Sequence, residues 1–102
     1  MLELDKDKLL SLLKENKEKL KNFHVSKLGI FGSFIRGENT KDSDIDFLVE
    51  FEKGEKNFNN FINLAFFLEN LLNRKIDLLT IESLSPYMKS EILKEVYFEK
   101  IE

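Results

Sequence analysis

The sequence predicts an α+β fold of two layers, in which one small sheet of about three to four strands is flanked by helices. Three observations predict this class. Three short apolar segments have strand character, segments with helical apolar spacing lie between them, and 102 residues suffice for one core. We therefore expect one domain over residues 1–102. The pattern alone does not decide whether the sheet is parallel or mixed.

The first two elements are an amphipathic helix and a strand. Residues 4–20 place leucines among Lys and Glu at a spacing that gives one apolar stripe on a charged helix. Residues 25–31 are mostly apolar, include β-branched and aromatic side chains, and stop at Gly32, which is typical of a strand. A polar segment that contains glycine follows, and we expect a turn and a short helix there.

The second strand covers residues 44–51. Its first half alternates strictly between polar and apolar residues. Because successive side chains of a strand point to opposite faces, its apolar residues lie on one face and Asp44 and Asp46 on the other. Two carboxylates are therefore expected to share one face of the sheet.

The remaining elements are a helix, a strand and a helix. Asn57 is a suitable N-cap for a helix to about Asn73, whose apolar residues form two stripes. One stripe suits the core, and the second is either core or a partner surface. Residues 75–81 form the third strand, and Ser85 caps a last helix that runs to about Phe98.

The composition excludes several classes of protein. With 16 Lys plus Arg against 19 Asp plus Glu, the net charge of −3 disfavours tight non-specific binding to nucleic acid. The absence of cysteine excludes disulfides, thiolate catalysis and thiolate metal sites. Neither a signal peptide nor an apolar stretch of membrane-spanning length is visible. We expect a cytoplasmic protein with no stable DNA binding and no membrane association.

The stretch GSFIRGENTKDSDIDFLV, which begins at Gly32, has the pattern of a phosphate and metal site. Gly32 permits a tight turn, Ser33 supplies an amide and a hydroxyl, and Arg36 adds a positive charge one turn later. Asp44 and Asp46 present hard oxygen ligands of the kind that Mg²⁺ prefers. Each part alone is more often structural than functional, and it is their combination that indicates phosphate chemistry.

A Gly-Ser after a strand, then ten residues, then Asp-x-Asp at the start of another strand resembles the signature of the DNA polymerase beta-like nucleotidyltransferase superfamily. The strings GSFIRG, SDIDFLVEF, KIDLLT and EILKEV narrow the resemblance to the minimal nucleotidyltransferases of prokaryotes, over roughly residues 25–99. The resemblance implies the nucleotidyltransferase fold with a small mixed sheet. It also implies that Gly32, Ser33 and Arg36 bind the nucleotide, with Gly32 and Ser33 on its triphosphate.

The same resemblance implies which carboxylates are catalytic. It places the metal ligands on Asp44 and Asp46 and the third carboxylate of the family on Asp77. Two Mg²⁺ ions held there would clamp the attacking and leaving oxygens at the α-phosphorus. Asp77 has two possible roles, as a ligand that completes the second metal site or as the acceptor of the proton from the attacking hydroxyl.

The function implied by the resemblance is transfer of AMP from ATP to a protein hydroxyl. The acceptor in this family is a tyrosine of a partner HEPN-domain ribonuclease toxin, which would make the chain the antitoxin of a type VII-like toxin–antitoxin pair. We therefore expect a hetero-oligomer with that toxin, since a chain this short has little length left for an acceptor-binding domain of its own.

Two other functions are compatible with the sequence. One is a stoichiometric binding antitoxin with a vestigial nucleotide site, in which neutralisation comes from covering the toxin. The other is a small-molecule nucleotidyltransferase of the antibiotic-modifying kind, for which a second domain is missing. Retention of Asp44, Asp46 and Asp77 favours the enzyme over the binding protein. Nucleotide preference and oligomeric state are not encoded in any motif.

Overall fold

A computed structural model describes residues 4–101; residues 1–3 and 102, the two ends of the predicted domain, lie outside the described residues. Helices and strands alternate along this part of the chain as predicted, with a 3-10 turn at Ile81–Ser83. The elements are helices α1 (Lys6–Glu15), α2 (Lys17–Lys21), α3 (Ser33–Arg36), α4 (Phe58–Leu72) and α5 (Pro86–Glu95), and strands β1 (Val25–Phe31), β2 (Ile45–Phe51), β3 (Ile76–Thr80) and β4 (Tyr97–Lys100).

The four strands form one mixed sheet in the order β3-β2-β1-β4. Strand β1 lies antiparallel to both β2 and β4, whereas β2 and β3 are parallel. The α+β class with a small mixed sheet is therefore confirmed. The connection between the parallel strands β2 and β3 is longer than the one between β1 and β2, because it contains helix α4.

The core lies on one face of this sheet. Register pairs Ile30 with Phe47 and Leu28 with Val49, which places these four side chains on a common face. Leucines of α1, α2 and α4 and the ring of Phe34 from α3 pack with them. The fully buried side chains are Leu9, Leu13, Leu20, Val25, Leu28, Ile30, Phe34, Ile45, Phe47, Leu48, Val49, Leu64 and Leu68.

Two predicted helices are shorter than expected. The first is interrupted at Asn16, whose backbone N–H and side-chain amide both donate to the carbonyl of Leu12 and so end α1. The last ends at Glu95 instead of about Phe98, because Val96 is extended and residues 97–100 pair with β1 as a fourth strand. The sheet thus has four strands, within the expected three to four, and the fourth lies where the sequence predicted the end of a helix.

Helix α4 contributes to the core and to the surface. Leu64 and Leu68, one from each predicted stripe, are fully buried, so both stripes reach the core. Phe58 and Phe66, in contrast, are 74% and 56% exposed. The N-cap prediction is confirmed, since the side chain of Asn57 accepts a hydrogen bond from the amide of Asn60. Within residues 4–101, no helix has the length and apolar character needed to cross a membrane.

Candidate active site

Two of the predicted carboxylates lie side by side on the sheet face opposite the core. Register pairs Asp46 of β2 with Asp77 of the parallel strand β3. Their neighbours Phe47 and Leu78 point to the core face, so both carboxylates point away from it. Asp46 is half-buried and Asp77 is exposed at the sheet edge. The alternation read from the sequence therefore holds for Asp46.

The environment of Asp46 favours its protonated form. Burial first, and then the charge of Asp77 and a hydrogen bond between the two carboxyl groups, raise the pKa of Asp46 to about 6. The charge of Asp44 acts in the same direction, and only Arg36 opposes it. Such a concentration of negative charge is favourable when a cation or a proton is present to offset it.

The turn after β1 lies directly against Asp46. Gly32 has φ of 77° and ψ of −150°, a conformation that L side chains rarely adopt. A Cβ atom at this position would collide with Asp46 Oδ2, so only glycine allows the approach. Ser33 then begins α3. The Gly-Ser turn and the carboxylates are thus brought together.

Arg36 is held beside this turn by two glutamates. Its Nη1 donates to Glu95 Oε1 and Oε2 at 3.1 and 3.2 Å, and its Nε donates to Glu38 Oε1 at 2.9 Å. The backbone N–H of Gly32 also donates to Glu95 Oε1, at 3.0 Å. One carboxylate from the end of α5 therefore joins the turn to the guanidinium.

Arg74, which the sequence analysis missed, organises the loop before β2. Its guanidinium donates to the carbonyl of Lys41 at 3.1 Å and to that of Ser43 at 3.2 Å. The same group lies 5.3 Å from the centre of the buried Phe34 ring. Because Asp44 follows this loop directly, Arg74 fixes the backbone that leads to Asp44. The only sequence signal for Arg74 was a positively charged residue directly before the predicted third strand, and that signal is weak.

Asp44, the first carboxylate of the Asp-x-Asp pair, lies outside the strands. It is exposed and precedes β2 by one residue, although its charge acts on Asp46. Among residues 4–101, no group of three or more His, Asp or Glu side chains is arranged so that it could hold a metal ion. Asp46 and Asp77 are paired, and the metal-ligand roles of Asp44, Asp46 and Asp77 stay predictions.

The chemistry of the donors fits a hard divalent cation next to a phosphate. The paired side chains of Asp46 and Asp77 offer carboxylate oxygens as ligands, which suit Mg²⁺ better than a softer metal. Burial and then the charges of the neighbouring carboxylates raise the pKa of Asp46, and a bound cation would offset that cost. On the other side of the turn, Ser33 and Arg36 offer a hydroxyl and a fixed positive charge to an anion.

Sequence comparison places the chain among proteins of related chemistry. The profile of the family described as Nucleotidyltransferase domain matches residues 9–98. Protein adenylyltransferase MntA of Thermococcus cleftensis is 37% identical over 99 residues, which cover 96% of this chain and 99% of that protein. The residues matched by the family profile span the positions of the Gly-Ser turn and of all three predicted carboxylates.

Solved structures share the fold. A structure solved as a candidate minimal nucleotidyltransferase superposes with a TM-score of 0.81 at 28% identity and covers 95% of this chain and 98% of that chain. A complex of a tri-AMPylated Shewanella oneidensis HEPN toxin with an MNT antitoxin has a TM-score of 0.55 at 20% identity, covering 95% and 68%. The chain belongs to the nucleotidyltransferase domain family, and within it to the minimal nucleotidyltransferases.

Proposed function

We propose that the chain transfers AMP from ATP to a tyrosine hydroxyl of a partner HEPN ribonuclease toxin and thereby acts as its antitoxin. The observation that carries this proposal is the pairing of Asp46 with Asp77 beside the Gly32 turn. It is supported by a relative named as a protein adenylyltransferase and by the fold shared with the MNT antitoxin of an AMPylated toxin.

The residues of the site have distinct tasks in this reaction. Gly32 and Ser33 bind the triphosphate through the turn and the hydroxyl, and Arg36 offsets its charge. Asp46 and Asp77, with Asp44, would hold Mg²⁺, which when bound neutralises charge on the phosphates and aligns the reacting oxygens. The protein contributes position and electrostatics more than covalent chemistry.

The bond changes follow from this placement. The tyrosine oxygen forms a bond to the α-phosphorus, the bond from that phosphorus to the bridging oxygen of the β-phosphate breaks, and pyrophosphate leaves. The phenolic proton must be accepted by a nearby base. Asp77 is exposed at the edge where an acceptor can approach, so it is the side chain best placed to take that proton.

A partner surface is available for the acceptor. Large apolar side chains are exposed on α4 and α5, and the chain has a net charge of −3, which suits a basic partner. The most exposed of them are Phe58, Phe66, Tyr87 and Met88.

The decisive experiment is label transfer from ATP that carries a labelled α-phosphate to the HEPN protein purified from the same host, with Mg²⁺. The chain is compared with Asp46→Asn and with Asp42→Asn, a matched change in the exposed loop before the site. We expect label on the toxin with the unchanged chain and with Asp42→Asn, and none with Asp46→Asn. A toxin tyrosine→Phe variant identifies the acceptor.

Three outcomes would contradict the proposal. Neutralisation of the toxin that survives Asp46→Asn without label transfer supports a stoichiometric binding antitoxin. Turnover on an added aminoglycoside without a protein partner supports the small-molecule enzyme. Unfolding of Asp46→Asn, measured by circular dichroism, would mark this carboxylate as structural.

A further inference from the structure

We infer that Glu95 is the positioning residue of the nucleotide site, because it holds the Gly32 turn and the Arg36 guanidinium in a fixed relation to each other. This inference rests on the proposed function, since it assigns to both groups a task in binding the triphosphate. Glu95 lies 63 residues from Gly32 in sequence and is not part of the Gly-Ser or Asp-x-Asp pattern.

The contacts of Glu95 fix two groups with one carboxylate. Its Oε1 accepts both the Gly32 backbone N–H, at 3.0 Å, and Arg36 Nη1, at 3.1 Å, while Oε2 accepts the same Nη1 at 3.2 Å. The backbone of the turn and the guanidinium therefore share one oxygen atom. Hydrogen bonds to an ionised group are stronger than neutral ones, so this arrangement resists rotation of the long arginine side chain.

Arg36 needs such a restraint because little else confines it. Its side chain is 48% exposed, and its other partner, Glu38, lies only two residues away and is itself 65% exposed. The Glu95 side chain is less exposed, at 30%, and belongs to a different element. Glu95 is therefore the partner that ties Arg36 to the fold rather than to a neighbouring surface residue.

The position held in this way is the functional one. The charge of Arg36 acts on Asp46, so the guanidinium lies within electrostatic reach of the carboxylate pair. Gly32 lies against Asp46 Oδ2 on the other side of the turn. A triphosphate bound at the turn would lie within reach of Arg36, and a freely rotating Arg36 would lose that preorganisation.

The opposite effect is the main physical alternative. Glu95 accepts hydrogen bonds from the Gly32 N–H and from Arg36, and a phosphate oxygen of the nucleotide could accept the same bonds. If Glu95 had to leave these groups before the nucleotide could bind, it would compete with the nucleotide. Positioning predicts that loss of the Glu95 charge weakens nucleotide binding, whereas competition predicts that the same loss tightens it. The sign of the change therefore separates the two.

The experiment compares Glu95→Gln with Glu91→Gln, an exposed glutamate one helical turn earlier that forms an ion pair with Lys94. Glutamine keeps an oxygen for the Gly32 N–H but removes the charge that holds Arg36, so the fold is retained more readily than in Glu95→Ala. Two quantities are measured for each variant, equilibrium binding of ATP with Mg²⁺ and the steady-state KM and kcat of label transfer.

We expect Glu95→Gln to raise the Kd and KM for ATP on the order of 10-fold, with kcat changed about 2-fold or less, and Glu91→Gln to change none of them. Arg36→Ala raises the KM similarly, and the double variant raises it no further, because both act through one group. Unchanged or tighter ATP binding, or additive effects in the double variant, would overturn the inference.

The two proposals fail separately. If the unchanged chain binds ATP but transfers no label, the proposed function fails while the binding comparison still decides the role of Glu95. If label is transferred and Glu95→Gln behaves like the unchanged chain, only the positioning role fails. If the unchanged chain binds no ATP, both are overturned.

Discussion

Gly32 joins the backbone of the turn to the carboxylates, and its substitution tests that contact. Gly32→Ala adds a Cβ that collides with Asp46 Oδ2 and also forces alanine into a left-handed backbone conformation. We expect the free energy of unfolding to fall by about 3 kcal/mol, with loss of label transfer. Gly54→Ala is the matched control, since Gly54 has φ of 82° and open space around it, so it should cost only about 1 kcal/mol. If urea unfolding gave the same loss of free energy for Gly32→Ala and Gly54→Ala, the close contact between Gly32 and Asp46 would be contradicted.

Asp46 is expected to lower stability at neutral pH. Its pKa in the folded chain, about 6, lies above the ordinary 3.8, so the folded state binds the proton more tightly than the unfolded state does. The stabilisation from that proton is complete below about pH 4 and is lost as the pH rises through about 6. The asparagine of Asp46→Asn stays neutral at every pH, so this variant should unfold at a higher urea concentration than the unchanged chain at about pH 7. The difference between the two midpoint concentrations should shrink towards about pH 4. Measurements in metal-free buffer with Asp42→Asn as control check this, and a difference independent of pH would contradict it.

Individual site residues differed in how far the sequence could predict them. Gly32, Ser33, Asp44 and Asp46 could be proposed as site residues from the sequence because they are concentrated in one short stretch with fixed spacing. Arg74 acts through contacts with carbonyls more than thirty residues away, and Glu95 contacts a turn 63 residues away. No local pattern encodes such contacts, since any surface Glu or Arg has the same local appearance.

Among the elements, α4 poses a question that the sequence left open and mutation can answer. Phe58 and Phe66 are exposed, whereas Leu68 is fully buried. Serine and phenylalanine have similar helix propensities, so Phe58→Ser and Phe66→Ser should each change the free energy of unfolding by less than about 0.5 kcal/mol. Leu68→Ala should cost about 2 to 5 kcal/mol. A large loss for either phenylalanine, in urea unfolding of the isolated chain, would place it in the core instead of on a partner surface.

Strand β4 shows why one element escaped prediction. It has four residues, and its alternation does not separate apolar from polar side chains, because Glu99 is buried while Tyr97 on the same face is 43% exposed. Lys17 of α2 offsets the charge of Glu99, with Nζ 3.5 Å from Oε2, while Glu99 Oε1 is buried without a hydrogen-bond partner among the described residues. A strand that depends on such a tertiary contact looks like the end of a helix when its sequence is considered alone.

At the scale of the whole molecule, strand order decides whether the site exists. The lengths of the connections do not specify that β2 lies between β3 and β1. Only this order brings Asp77 beside Asp46 and the end of β1, with Gly32, to the other side of Asp46. All the strands except β4 were therefore predictable from periodicity, whereas their assembly into a candidate site followed from family resemblance and not from composition or spacing.

The last prediction concerns the cooperative stability of the whole chain. A ligand that binds only the folded state stabilises it by mass action, by about 2.7 kcal/mol at 100 times its Kd. For a domain of this size, ATP with Mg²⁺ should therefore raise the Tm by roughly 10 °C or more. AMP should do much less, because the Gly32 and Ser33 turn is proposed to bind the triphosphate. Asp46→Asn and Asp77→Asn should lose most of the ATP shift, and Ser33→Ala part of it. If ATP shifted the Tm equally in the unchanged chain and in both carboxylate variants, the nucleotide would be bound elsewhere, and the pairing of Asp46 with Asp77 would have no part in holding it.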